Sequence, residues 1–157
     1  MRRIVGLQEH RENAPTKEAV LRERVIEPNV QNVVAEAKAY LRAKYTNPLG
    51  QMVCQICKNE MPFKLKTGEY YFEAVQAIRG LPNHFYENRV ALCPTCAAMY
   101  QYARTFSDDE LQKIIEEFKL ENMGSSVDFE LMLAGSMQKL RFVGVHFFDL
   151  KIVLEKN

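Results

Sequence analysis

The sequence predicts an α+β fold: a small cysteine-organised module, with one helix before it and a helix, hairpin and helix after it. Three observations carry this. Two Cys-x-x-Cys pairs, Cys54/Cys57 and Cys93/Cys96, bracket a stretch with strand and turn patterning. An apolar stripe at helical spacing precedes them. Past them come a helix-start signal and two alternating apolar runs around a glycine turn. The chain divides accordingly into a polar arm or linker (1–27), a helix plus module (28–106), and an α/β extension packed on the module (107–157).

Residues 1–27 are mostly polar without a sustained period, and a short helix over residues 17–24 is expected to order only against a partner. Pro28 opens a helix whose apolar residues Val30, Val33, Val34, Ala37, Leu41 and Tyr45 recur on one face. Asn47-Pro48-Leu49-Gly50 ends it, since proline cannot continue a helix and glycine suits the turn. In the module, Cys54-Gln55-Ile56-Cys57 forms a tight knuckle. Phe63 and Leu65 alternate with Lys64 and Lys66, Thr67-Gly68 supplies a turn, and residues 70–75 read as the returning strand. Period two places Phe63 and Leu65 inward and gathers Lys58, Lys64 and Lys66 on one exposed edge. Residues 97–104 are expected to be helical after the second cysteine pair.

In the extension, Ser107 and Glu110 form a capping box for a helix presenting Leu111, Ile114, Ile115 and Phe118 on one face. Met123-Gly124-Ser125-Ser126 breaks it. Val127, Phe129, Leu131 and Leu133 are answered by Leu140 and Phe142 across Ala134-Gly135-Ser136, a hairpin pattern. Residues 145–154 fit a strand or a helix, and a helix after Gly144 is expected.

No apolar run approaches the ~20 residues that span a bilayer, and the start MRRIVGLQEHREN has no apolar signal-peptide core. A cytoplasmic location without a membrane partner is therefore expected. Net charge is +1, but it is unevenly spread. Residues 1–66 hold 12 Lys/Arg against 7 Asp/Glu, while residues 107–157 hold 6 against 10, so any basic face belongs to the first half.

In a reducing compartment, paired cysteines point to a metal rather than to disulfides. Two knuckle-spaced pairs supply the four thiolates of a tetrahedral zinc site, and the second pair, at a helix N-terminus, is favoured by the helix dipole. Iron is the rival ion for thiolates. A thioredoxin-like pair would need an adjacent βαβ pattern, and none is visible. One structural zinc on Cys54, Cys57, Cys93 and Cys96 is the expectation, because four thiolates leave no position open for catalytic water.

With these residues in view, Phe72-Glu73-Ala74 and Asn88-Arg89-Val90-Ala91-Leu92-Cys93-Pro94-Thr95-Cys96 resemble the zinc-containing, treble-clef HNH endonucleases. The likeness spans residues 52–104. From Tyr40 to Met99 the chain also looks like a zinc module found toward the C-terminus of some larger bacterial proteins of unassigned function. The resemblance implies a treble-clef-like arrangement of knuckle, β-hairpin and helix. In working members a His-His or Asp-His pair follows the Phe-Glu-Ala strand, and a further His directly follows the last Cys. Here Val75, Gln76 and Ala97 stand at those places. Valine has no lone pair, and glutamine has no usable pKa for accepting a proton. Asn88 remains, a residue that in such enzymes orients backbone or the base.

The expected function is thus a non-catalytic zinc module that docks DNA, RNA or a protein partner. Its candidate contact residues are Arg42, Lys44, Lys58, Lys64, Lys66, His84, Asn88 and Arg89, with Tyr70, Tyr71, Tyr100 and Tyr102 either stacking on bases or filling the core. An active nuclease using His84 and Glu73 in displaced roles is one alternative, and a purely structural subunit of a multiprotein assembly is another. No Ser/His/Asp set, phosphate loop or dinucleotide fingerprint suggests a small-molecule substrate.

Overall fold

The computed structural model describes residues 30–156. The arm at 1–27 and its expected helix at 17–24 lie outside the described residues. The chain divides into two units, residues 1–31 and 32–157, and the cysteines and both sheets belong to the second. Helix α1 runs Val30–Tyr45, with Arg42 and Lys44 in its last turn, where the dipole favours cations. It stops as the sequence predicts. The Asn47 side chain accepts from the backbone N–H of Leu49 (3.0 Å) and Gln51 (2.9 Å), closing a turn that brings Met52 back beside Thr46.

The module follows. Strands β1 (Glu73–Gln76) and β2 (Arg89–Leu92) pair antiparallel, with Val75 opposite Val90 and Gln76 opposite Arg89. This differs from the expected hairpin, in which residues 70–75 return directly onto 63–65. That local pairing shrinks to one bridge, Lys64 with Tyr70, at the base of a tongue around Thr67-Gly68. Phe63 and Leu65 do not point inward: they are 50% and 45% exposed. Lys58 leaves the expected basic edge as well. It is half-buried, with its ammonium on the carbonyls of Ile56 (2.7 Å) and Lys139. Helix α2 (Pro94–Tyr102) then leaves the end of β2.

Ser107 caps helix α3 (Asp108–Glu117), and the reciprocal capping box with Glu110 is formed. Leu111 and Ile115 are fully buried, whereas Ile114 is 45% exposed, so the buried stripe is narrower than the sequence suggested. Strands β3 (Ser126–Leu133) and β4 (Ser136–Val143) form a hairpin in which Phe129 faces Leu140 and Val127 faces Phe142. Its two-residue turn puts both Ala134 (φ 49°) and Gly135 (φ 78°) in the left-handed region. Helix α4 (Gly144–Glu155) follows without a break. Gly144 packs closely at its start: a Cβ there would lie 3.3 Å from the Gly124 carbonyl oxygen, a tight contact.

One core joins these parts: Leu41 and Tyr45 of α1, Phe72, Val75 and Leu92 of the module, and Leu111, Phe142 and Phe147 of the extension belong to the same buried cluster. Lys151 of α4 reaches back to the carbonyls of Ile115 (3.2 Å) and Glu116 (2.6 Å), placing a cation at the C-terminus of α3. Among the described residues no helix is long and apolar enough to cross a membrane.

Candidate metal centre

The first cysteine pair sits on a turn that the backbone closes twice: Lys58 N–H donates to the Cys54 carbonyl, and Cys54 N–H to that of Asn59, both at 3.0 Å. Ile56 N–H points at the Cys54 sulfur (3.4 Å). Lys58 completes the knuckle in the left-handed region at φ 62°, a conformation that costs an L-residue roughly 1 kcal/mol. The second pair is positioned by α2. Cys93 is its N-cap, Pro94 opens the first turn, and the Cys96 N–H donates to the Cys93 sulfur at 3.5 Å.

Two segments far apart in sequence therefore deliver four sulfurs to one place. All four Sγ atoms lie within 4.8 Å of one another, and Cys57 and Cys93 are 4.0 Å apart. None is disulfide-bonded. A tetrahedral ion bound at about 2.3 Å needs sulfurs about 3.8 Å apart, so the cluster fits a thiolate-bound ion with little adjustment. Cys54 and Cys96 are buried, and Cys57 and Cys93 half-buried. A hydrogen bond from Cys96 holds Cys54 down to about 5. The same bond, with burial, pushes Cys96 far above the usual thiol range. Burial raises Cys57 to about 11. Thiols this crowded resist losing several protons in turn, and a divalent cation at their centre is what lets them ionise together.

Gln55, inside the knuckle, was not singled out by the sequence. Its side chain is buried and fully bonded: Oε1 accepts from Ala91 N–H (2.7 Å), and Nε2 donates to the Arg141 carbonyl (2.8 Å). Its backbone donates to the Ala91 carbonyl (3.0 Å) and accepts from Arg141 N–H (2.9 Å). The knuckle is thus tied to β2 on one side and to β4 on the other. Spacing alone gives no sign of this clamp, which needs a partner 86 residues away.

No family model, curated protein or solved structure matches this chain.

Val75 and Ala97 are buried in the core, and Gln76 donates to the Asn83 side chain at 2.9 Å. Glu73 is half-buried on β1, and His84 is exposed with its ring against Phe85. Among the described residues the four cysteines are the one group of three or more metal-ligating side chains close enough to share an ion.

The candidate contact residues separate into distinct places. Lys64, Lys66 and His84 are exposed. Lys44 lies over the Tyr40 ring. Arg42 pairs with Glu69 (3.7 Å) and stacks over Phe72. Arg89 turns back to donate to the Ala74 carbonyl (3.0 Å). Asn88 is not available for contact at all. It is fully buried, and its side chain bonds the N–H (3.0 Å) and carbonyl (2.8 Å) of Ile78. It staples the two ends of the β1–β2 connection together. Tyr100 is core, donating to the Ala77 carbonyl at 2.6 Å, while Tyr102 is exposed.

The sequence also left His146 unread. It is fully buried at the junction of α1, α4 and the loop before β2. Its Nδ1 lies 2.6 Å from the Tyr45 hydroxyl and its Nε2 2.9 Å from the Glu87 carbonyl. A carbonyl only accepts, so Nε2 carries the proton and Nδ1 accepts from Tyr45, whose oxygen accepts in turn from Val143 N–H (3.2 Å). Every polar atom of the chain of bonds is satisfied with the imidazole neutral. Burial accordingly lowers its pKa to about 4.

Proposed function

We propose that this protein is a non-catalytic docking module organised by one structural zinc ion on Cys54, Cys57, Cys93 and Cys96. It is built on the treble-clef scaffold of HNH endonucleases, without their catalytic groups, and works in the cytoplasm with a nucleic-acid or protein partner. The observation that carries the reading is the convergence of four free thiols within 4.8 Å. An all-thiolate tetrahedral set suits zinc and closes its coordination shell, so the ion supplies folding energy rather than an activated water. Such a site contributes on the order of 10 kcal/mol toward folding, enough to lock the knuckle onto the start of α2.

Against catalysis stand the residues themselves. An HNH reaction needs a base with a pKa near 7 and ligands that hold a second divalent ion at the scissile phosphate. Val75 and Ala97 offer no lone pair from their side chains, and Gln76 is engaged with Asn83. The test is cleavage of plasmid, single-stranded DNA and RNA by the zinc-loaded chain with Mg²⁺, Mn²⁺ or Ni²⁺. No cleavage is expected. Cleavage that His84→Ala abolishes would replace this reading with that of an active nuclease using displaced residues.

A further inference from the structure

We infer that the tongue at residues 62–71 is a docking surface for single-stranded nucleic acid, with Phe63 as a base-stacking platform and Lys64 and Lys66 as phosphate contacts. The inference rests on the proposed docking function and names its partner.

Every residue from 62 to 69 is exposed, among them two large apolar side chains, Phe63 and Leu65. The tongue is nonetheless ordered by its own backbone: Leu65 N–H donates to Glu69 (2.7 Å), Gly68 to Leu65 (2.9 Å) and Tyr71 to Phe63 (3.0 Å). Phe63 is held as a platform. Its ring stacks on Tyr71 with centroids 5.0 Å apart and planes 7° from parallel, and Lys38 sits 6.0 Å from the Tyr71 ring. With one face supported, half of Phe63 remains open, so a base can extend the stack without first ordering the side chain. Stacking of this kind accepts any base.

The charged side chains of the tongue itself are Lys64 and Lys66 against Glu69. Lys64 lies over the Tyr70 ring (4.7 Å), and among the described residues Lys66 contacts no acidic group. Of the nearby carboxylates, Glu69 is paired with Arg42, and Glu60 accepts from the Tyr70 hydroxyl. Lysine is depleted at protein–protein interfaces, whereas lysine alternating with exposed rings tracks a nucleic-acid backbone. A duplex keeps its bases stacked on one another and presents no free base face to Phe63, so the strand must be single.

The test uses the zinc-loaded full chain and a fluorescein-labelled oligothymidylate, read by anisotropy across a salt series. Binding is expected at low salt. Phe63→Ala should weaken it roughly ten- to hundredfold, while Phe63→Trp preserves it. Lys64→Ala/Lys66→Ala should make the slope of log K against log salt shallower by about 1.4. Lys113→Ala, on the exposed side of α3, should change nothing. An unlabelled duplex of the same length should compete poorly. All these side chains are exposed, so zinc content and circular dichroism should match the parent. Absence of binding with zinc and fold intact overturns the inference, as does a Phe63→Ala chain that binds like the parent or a salt slope unmoved by the lysine changes. Absence of binding leaves the zinc-organised module standing with a protein as its partner, the other two outcomes move nucleic-acid binding away from the tongue, and a chain that carries no zinc fails the underlying reading itself.

Discussion

His146 should remain neutral well below the pH at which a free histidine protonates, and the fold should weaken with acid as a result. In the unfolded chain it titrates near 6.5; in the folded protein burial lowers it to about 4. Between these values the unfolded state binds the extra proton, so its free energy falls relative to the native state as the pH drops. The stability is therefore complete above about pH 6.5 and is lost on descending toward pH 4. Worked through the linkage relation, the loss is about 2 kcal/mol by pH 5 and on the order of 3 kcal/mol below pH 4. The bonds explain why the native state resists protonation: a proton on Nδ1 would meet the Tyr45 hydroxyl, which now donates to that nitrogen. Two assays check this. The imidazole Cε1 proton resonance of His146 should not titrate between pH 8 and 5. Urea unfolding in excess zinc should lose stability between pH 8 and 5 more steeply for the parent than for His146→Gln, since acid release of the metal is common to both chains. An imidazole that titrates near 6.5 in the folded protein, or equal pH slopes in the two chains, would refute the reasoning.

Two further changes test the scaffold. Asn88→Ala strands the N–H and carbonyl of Ile78 in a buried place, and urea unfolding should show a loss of about 2–4 kcal/mol; a loss below about 1 kcal/mol would mean that water replaces the staple. Ala134→Asn places a residue that tolerates the left-handed region where alanine now sits at φ 49°, giving the Asn-Gly pair favoured in two-residue hairpin turns. It should raise the stability measured by urea unfolding by up to about 1 kcal/mol, and a lowered midpoint would show that Ala134 is not strained.

The parts of this fold legible in the sequence are those whose signals are local. The α1 stripe, the Asn47 turn, the Ser107/Glu110 box and the β3–β4 alternation around Ala134-Gly135 each lie within one turn or one hairpin, and each formed as read. The four cysteines were equally plain, because knuckle spacing is itself local. The β1–β2 pairing was hidden. Thr67-Gly68 is a genuine turn signal, but the lasting partner of β1 arrives after a loop whose ends Asn88 staples together. Alternation then misled at Phe63 and Leu65, since a two-stranded tongue projecting from the body has no inner face to bury them. The buried polar residues Gln55 and His146 were illegible for another reason: their partners lie 86 and 101 residues away in sequence, and no periodicity encodes a polar contact made in the core.

The central claim is the metal, and X-ray absorption at the zinc edge of the purified protein tests it most directly. One zinc per chain with four sulfur neighbours at about 2.3 Å is the predicted result, and Cys93→Ser should lose that signal together with the fold of the knuckle and α2. A shell containing nitrogen or oxygen ligands, or protein that is folded and free of zinc after purification without chelators, would contradict the account.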